Sequence, residues 1–170
     1  MKRLFFALWP DRGVRAQLAE RAGLLQIDTG RPVPGENYHV TLVFLGNVQE
    51  QDIPGLLDAA GRLRISRFPL QIDRCGWWKR AKVAWLAPET TPAPLQELVE
   101  QISRFSINAG LSIDNRDYSP HLTVARKLSR PVTAMSIDPV HWDVGEFCLV
   151  ESITHQQGAR YRVMKSWALF

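Results

Sequence analysis

Two short segments of the sequence, 39–42 and 121–124, carry the same order of residue types: histidine, an aliphatic residue, threonine and an aliphatic residue. Side chains on a β-strand alternate between its two faces, so the histidine and threonine of each segment point the same way, roughly 7 Å apart. The aliphatic residues then anchor the opposite face in the core. Each segment therefore presents one imidazole and one hydroxyl to the same surface, from His39 and Thr41 and from His121 and Thr123.

Two imidazoles and two hydroxyls facing one cleft suit an in-line displacement at phosphorus. One ring takes a proton from the attacking oxygen while the other supplies one to the departing oxygen, and histidine fits both tasks because its ordinary pKa is about 6.5. Threonine hydroxyls can donate hydrogen bonds to the non-bridging phosphate oxygens. The residues therefore predict acid–base catalysis by His39 and His121 and phosphate binding by Thr41 and Thr123, without a metal or another cofactor.

Two other interpretations of the histidines stay open. A histidine on an amphipathic strand is commonly a half-exposed hydrogen-bonding residue without a chemical role, and one short motif alone carries a high risk of a false match. A metal site fits less well, because neither histidine has paired carboxylates nearby at ligand spacing. The occurrence of the same motif twice favours the catalytic interpretation over both.

The elements that must position these residues alternate between strands and helices. Apolar patterns predict strands at 4–9, 38–45, 68–77, 82–86 and 121–127, and in a C-terminal stretch where Tyr161, Val163, Trp167 and Leu169 share one parity. Helices are predicted after Asp11 as N-cap, around 53–60, and after Thr91-Pro92.

The order strand, helix, strand with a histidine motif occurs twice. The shift that carries His39 onto His121 also carries the helix predicted at 11–26 onto the one at 93–108. We therefore predict an internal duplication, for which the alternative is a coincidence within a generic α+β chain.

Composition is that of an ordinary globular protein. With 170 residues, 45% of them hydrophobic and 22% charged, the chain fits one domain with a sizeable core. The net charge of +4 is too small to identify a partner. Cys75 and Cys148 form no CxxC pair, which argues against a disulfide framework or a cysteine zinc site. Because no apolar run is long enough to cross a bilayer, we expect a soluble, cytoplasmic protein.

Longer stretches around the motifs resemble a known superfamily. The segments 3–7 (RLFFA), 37–46 (NYHVTLVFLG) and 119–126 (SPHLTVAR) are similar to those of the 2H phosphoesterases, whose signature is a pair of His-x-Thr/Ser-x motifs. The closest resemblance is to the bacterial and archaeal RNA 2′,3′-cyclic phosphodiesterases, also called 2′-5′ RNA ligases or LigT-like proteins. It spans essentially the whole chain.

This resemblance implies both a fold and a reaction. The fold would be α+β, with residues 1–170 forming a single domain of two pseudo-symmetric lobes, antiparallel sheets lining a central cleft and helices on the outside. His39 would be the proton donor and His121 the proton acceptor in hydrolysis of a terminal 2′,3′-cyclic phosphate to a 2′-phosphate. The partners would be RNA or nucleotide ends, tRNA fragments among them, with a monomer acting away from membranes. ATP-independent 2′-5′ ligation is a further activity of such proteins.

Alternatives to this function remain at the level of sequence. One is a non-catalytic module that binds RNA ends, and the other is a phosphodiesterase for a small cyclic nucleotide.

Other residues have less certain roles. Simple alternation places Arg126 on the far face from Thr123, whereas the resemblance suggests that Arg126 binds phosphate through a bend at the strand end; an exposed arginine is the alternative. Phe5, Phe44 and Tyr161 are candidates for stacking on a base, with core packing as the alternative. The stretch 77–82 interleaves aromatic and basic residues like an RNA-contacting rim, although we favour a hairpin with a solvated basic turn.

Overall fold

A computed structural model describes residues 1–114, 116–155 and 158–170. Its strands are β1 Lys2–Leu8, β2 Arg31–Pro32, β3 Val40–Val48, β4 Phe68–Trp78, β5 Val83–Ala87, β6 Leu122–Arg126, β7 Met135–Val144, β8 Glu146–His155 and β9 Gly158–Ala168. Its helices are α1 Arg12–Leu24, α2 Ile53–Gly61 and α3 Ala93–Asn108, with short 3-10 turns at Gly35–Asn37 and Glu50–Asp52.

The strands form one antiparallel sheet in the order β7-β4-β5-β6-β3-β1-β8-β9, with β2 paired to β6. The two motif strands, β3 and β6, lie at its centre, and three strands extend the sheet on each side: β1, β8 and β9 beyond β3, and β5, β4 and β7 beyond β6. The two halves join where Val40 pairs with Leu122. The prediction of an α+β fold with antiparallel strands and outer helices is confirmed, and the sheets of the two halves are continuous.

Helices α1 and α3 each cross from their own half of the sheet to the other. Asp11 caps α1 as predicted, since its Oδ1 accepts a hydrogen bond of 2.9 Å from the backbone N–H of Val14. Although α1 follows β1, Arg21 of α1 donates to the carbonyl of Asp138 in β7. Phe105 of α3 packs edge-on against Phe6 of β1, at 5.7 Å between ring centroids. The exchanged helices couple the two halves. No helix among the described residues is long and apolar enough to span a membrane.

The motif strands begin later than predicted. The patterns predicted strands from 38 and 121, but β3 begins at Val40 and β6 at Leu122, so each histidine is the residue immediately before its strand. Strands β2, β7 and β8 were not predicted. The paired arrangement of the two halves nevertheless agrees with the predicted duplication, because the shift between the histidines carries α1 into the range of α3.

The prediction that the alternating apolar residues of the C-terminal strand all lie on one face is wrong. Leu149 pairs with Lys165 but Val150 pairs with Val163, so the register between β8 and β9 shifts at Met164. This bulge changes the face on which the following residues lie. Tyr161 packs with Phe5 on one face, whereas Trp167 packs with Phe147 in the main core on the other.

Candidate active site

The two motifs meet at the centre of the sheet. Val40 and Leu122 are fully buried, as predicted for the aliphatic positions between histidine and threonine. Because β3 and β6 run antiparallel, the residues on either side of this pair also face each other: His39 lies opposite Thr123, and Thr41 lies opposite His121. These four partly buried residues lie on the face opposite to the core. The structure therefore brings all four residues of the predicted site together.

Both imidazole rings are held through the same nitrogen. Nδ1 of His39 lies 2.7 Å from the carbonyl oxygen of Asn37, and Nδ1 of His121 lies 2.9 Å from that of Ser119. A carbonyl can only accept a hydrogen bond, so Nδ1 carries the proton in both rings. In the neutral form Nε2 then has a free lone pair, and Nε2 is the atom of each ring left to exchange a proton. Backbone carbonyls have no pattern in sequence, so these contacts could not be predicted.

Aromatic rings enclose His39 on three sides. Trp9 stacks on it, with ring centroids 5.2 Å apart and planes 4° from parallel, and Tyr161 meets it edge-on at 5.1 Å. Phe5 lies 5.0 Å away at a tilt, and its ring is only 3% exposed, so it supports His39 and has little surface left for a base. Trp9 was not among the residues predicted for the site. It lies just after β1, and contact over such a separation from His39 leaves no local pattern.

His121 has one aromatic neighbour, Trp78. The ring centroids lie 4.5 Å apart in an edge-on arrangement, and Trp78 also contacts Trp85 at 5.5 Å. Trp78 ends β4 beside the solvated turn, so the predicted hairpin is present. In the sequence, the tryptophans and basic residues of 77–82 were the pattern that indicated a role for Trp78.

Burial and neighbouring cations depress the pKa of both histidines. Burial lowers the pKa of His39 to about 4, with further lowering by the charges of Arg126 and His121, against a partial rise from the Asn37 carbonyl. Burial is also the main cause that lowers the pKa of His121, with the charge of Arg126 adding to it and the Ser119 carbonyl opposing it. The two rings thus lie close enough for one charge to act on the other. Both favour the neutral form when the cleft is empty.

Two β-bulges bring Phe44 and Arg126 to the cleft. In β3, Phe6 pairs with Val43 but Ala7 pairs with Thr41, which leaves Leu42 as the additional residue. In β6, Ala84 pairs with Ala125 but Trp85 pairs with Thr123, which leaves Val124. A bulge reverses the alternation beyond it. The expectation from simple alternation, that Arg126 lies on the far face, is therefore wrong, and the predicted bend exists.

A cleft of about 390 Å³ opens beside His39. Its walls combine aromatic, hydroxyl and cationic groups, namely Arg3, Phe5, His39, Thr41, Phe44, Arg126, Ser152, Thr154, Ala159 and Tyr161. Phe44 is 44% exposed, and the guanidinium of Arg3 lies 5.0 Å from the centre of its ring. The hydroxyls of Ser152 and Thr154 were missed from sequence because β8 was not predicted. The cleft has the volume of a small-molecule site.

A partly buried tyrosine fixes the two motifs relative to each other. The hydroxyl of Tyr118, which lies three residues before His121, donates to the backbone carbonyl of Thr41 at 3.1 Å. Burial raises the pKa of this hydroxyl, so it stays protonated as a donor. The hydrogen bond joins the approach to the second motif directly to the first motif strand.

The groups that converge on the cleft suit an anion. Within residues 1–114, 116–155 and 158–170, no cluster of three or more histidine, cysteine, aspartate or glutamate side chains is placed to hold a metal ion. The cleft offers imidazole, hydroxyl and guanidinium groups, and the last two donate hydrogen bonds to oxyanions. The arrangement can bind a phosphate and exchange protons on two sides of it.

Comparison with known proteins identifies similar chains. Residues 8–85 match the family model described as LigT like Phosphoesterase. The RNA 2′,3′-cyclic phosphodiesterase of Escherichia coli (strain K12) is 36% identical over 99% of this chain and 97% of its own length. The crystal structure of E. coli LigT complexed with 3′-AMP superposes with a TM-score of 0.89 at 35% identity, covering 99% of this chain and 98% of that one. The complex of LigT with NADP⁺ gives 0.88 at 34% identity, covering 99% and 97%.

Proposed function

We propose that this chain, which belongs to the LigT-like phosphoesterase family, hydrolyses the 2′,3′-cyclic phosphate at the end of an RNA to a 2′-phosphate. The observation that carries the proposal is the pair of imidazoles at the centre of the sheet. Each is held at Nδ1 by a backbone carbonyl and keeps Nε2 for proton transfer. The similar E. coli protein is named for this activity.

The reaction assigns one proton transfer to each ring. His39 donates a proton from Nε2 to the departing 3′ oxygen as the bond between that oxygen and phosphorus breaks. Nε2 of His121 removes a proton from the attacking water as the new oxygen–phosphorus bond forms. General acid–base catalysis of this kind contributes about 10²- to 10⁴-fold for each positioned group. After turnover each ring is in the other's starting protonation state, and exchange with solvent restores both.

The phosphate provides the charge that His39 needs to act as a donor. With a pKa of about 4, His39 is almost entirely neutral near pH 7 while the cleft is empty. The cyclic phosphate carries a negative charge, which stabilises a proton on an adjacent imidazole. Hydrogen bonds from Thr41 and Thr123 and the charge of Arg126 then hold the non-bridging oxygens. Substrate binding and protonation of the acid are therefore coupled.

The nucleoside is proposed to occupy the cleft beside His39. Phe44 and Tyr161 line the cleft with partly exposed rings, so they can contact a base. The guanidinium of Arg3 lies against the Phe44 ring and adds positive charge to the same wall. This arrangement leaves the His121 side of the phosphorus for the attacking oxygen.

The decisive experiment uses an RNA oligonucleotide ending in a 2′,3′-cyclic phosphate, in buffer with EDTA. We expect the wild-type protein to release a 2′-phosphate end, and His39→Ala and His121→Ala each to reduce kcat/KM by at least about 100-fold. His141→Ala, which removes an exposed histidine on β7, is the matched control and retains activity. Turnover that is unchanged in both motif variants would refute the proposal. RNA binding without product would instead indicate a non-catalytic binding module.

A second candidate is a phosphodiesterase for a small cyclic nucleotide. The size of the cleft favours it, because a volume of about 390 Å³ falls at the lower end of the range for small-molecule sites. Values of kcat/KM for a cyclic mononucleotide, a dinucleotide and longer RNA ends separate the two. A kcat/KM that rises with chain length supports the RNA substrate, and one that is highest for the mononucleotide supports the small one.

The setting of the reaction forms part of the same proposal. We propose that residues 1–170 act as one two-lobed domain and as a monomer in the cytoplasm, on RNA ends that include tRNA fragments. Cys75 and Cys148 are both free and buried, which fits a reducing compartment. A 5′-hydroxyl in place of water would give a 2′-5′ linkage without ATP.

A further inference from the structure

Trp78 is the aromatic side chain against His121, and it is not needed for the hydrolysis described above. Its ring meets His121 edge-on at 4.5 Å and is 36% exposed. Trp85, in contact with it, packs so closely over Gly76 that a Cβ there would lie 2.5 Å from the indole. Trp78 therefore packs against Trp85, whose own position is fixed by its close contact with Gly76, while part of the Trp78 ring is exposed to solvent.

Trp78 and the cleft adjoin different histidines, Trp78 lying against His121 and the cleft opening beside His39. The cleft is lined by residues of β1, β3, β8 and β9, by His39 and by Arg126, with no contribution from the hairpin of β4 and β5. In an in-line displacement the departing and attacking oxygens are on opposite sides of the phosphorus. If the cyclic nucleoside fills the cleft beside His39, the attacking oxygen approaches beside His121 and Trp78.

The turn after Trp78 is basic. Lys79, Arg80 and Lys82 are exposed and follow Trp78 directly in the chain. Cations next to an exposed aromatic ring are the combination that binds single-stranded nucleic acid, because the ring stacks on a base and the cations contact phosphates. A water molecule needs neither group. The surface fits a nucleoside followed by at least one phosphate.

We propose that Trp78 and the turn 79–82 form an acceptor subsite, in which a base stacks on Trp78 and its 5′-hydroxyl replaces water as the nucleophile. The inference rests on the proposed function, in which a 5′-hydroxyl can replace water, and it assigns the residues that hold the RNA strand carrying that hydroxyl. The 5′ oxygen forms a bond to phosphorus and gives its proton to Nε2 of His121. The bond from phosphorus to the 3′ oxygen breaks, and that oxygen takes the proton from His39. The product is a 2′-5′ diester, with no change in oxidation state and no ATP.

The test measures how one cyclic-phosphate end divides between two nucleophiles. An RNA ending in a 2′,3′-cyclic phosphate is incubated with a 5′-hydroxyl oligonucleotide, and the ratio of joined to hydrolysed product is measured as the acceptor concentration rises. We expect Trp78→Ala to lower this ratio by about 5- to 150-fold, the range for loss of one base–aromatic stack. Trp78→Phe, which keeps an aromatic face, should preserve most of it. Because both products arise in one tube, partial unfolding of a variant cancels from the ratio.

Two further acceptors and one further variant separate stacking from other effects. With methanol as the acceptor, or an oligonucleotide whose first residue is abasic, Trp78→Ala should leave the ratio unchanged. Phe44→Ala, on the donor side, should raise the KM for the cyclic-phosphate end in both reactions and leave the ratio unchanged. An unchanged ratio for the normal acceptor in Trp78→Ala overturns the proposal. An equal fall with methanol also overturns it, because Trp78 would then act only through His121.

The failure of this inference can be told from failure of the proposed function. If the wild-type protein hydrolyses the cyclic phosphate but joins no acceptor at any concentration, the acceptor subsite is wrong and the phosphodiesterase stands. If the wild-type protein turns over no cyclic phosphate at all, the proposed function itself is wrong.

Discussion

The burial of His39 predicts a loss of stability in mild acid that can be attributed to one ring. Folding lowers the pKa of this histidine from 6.5 to about 4, so between these values the unfolded chain binds more protons than the folded protein. The free energy of unfolding must therefore fall as the pH falls through this window. The full separation is worth about 3.4 kcal/mol at 1.36 kcal/mol for each pKa unit, and about 2.5 kcal/mol of it is lost by pH 4.5.

His39→Asn isolates this contribution. The asparagine amide can still donate to the Asn37 carbonyl in place of Nδ1, but it does not titrate. Urea unfolding of both proteins is followed by far-ultraviolet circular dichroism at pH 7.0 and pH 4.5. We expect the wild-type protein to lose about 2.5 kcal/mol more than His39→Asn between the two pH values. The carboxylates titrate in both proteins and so cancel from the difference.

The control for this experiment is His141→Asn, which removes an exposed histidine from β7. Its loss of stability between the two pH values should match that of the wild-type protein. If His39→Asn loses as much stability as the wild-type protein, then burial does not lower the pKa of His39 as expected. The coupling between phosphate binding and protonation of His39 would then have no basis.

Three further predictions concern the site and the hairpin beside it. Both limbs of the pH profile of kcat/KM should lie below 6.5, because this parameter reports the free enzyme and both histidine pKa values are lowered; a limb above pH 7.5 would contradict this. Arg126→Gln should move both limbs to higher pH, since its charge opposes protonation of both rings, and should raise the KM; a profile that does not move would show that the guanidinium lies elsewhere. Gly76→Ala should cost about 1–3 kcal/mol of stability by displacing Trp85, whereas Gly55→Ala in α2, where a Cβ meets nothing within 4 Å, should be neutral or stabilising in thermal unfolding.

The parts of the site that could be predicted are those with a local pattern. Histidine and threonine two residues apart on an aliphatic strand define a face by alternation alone, and the structure puts His39, Thr41, His121 and Thr123 together on one face. The N-cap at Asp11 depends on a contact within four residues and was predicted for the same reason. Local spacing was thus sufficient for the residues proposed to do the chemistry.

The surroundings of the rings depend on contacts between distant segments. Trp9 reaches His39, and Trp78 reaches His121, only once the sheet order is set. The register of neighbouring strands decides where a bulge falls. The leucine at position 42 is an ordinary strand residue and gives no sign in the sequence that a bulge lies there. Alternation counted from Thr123 therefore gave the wrong face for Arg126, because the count includes one residue that the partner strand does not match.

The two bulges explain how a continuous sheet can hold a cleft. Among the described residues β3 and β6 pair only at Val40 and Leu122, and each strand has a bulge two residues beyond that pair. Bulges increase local twist and bend the strand that carries them, so two placed symmetrically about the central pair turn the strands apart. The second residues beyond the bulges, Phe44 and Arg126, then face the opening, and there the two halves differ. In the proposed function, Phe44 on β3 contacts the base and Arg126 on β6 holds the phosphate. The repeated framework then places the two imidazoles, and the residues that differ between the two halves orient the substrate.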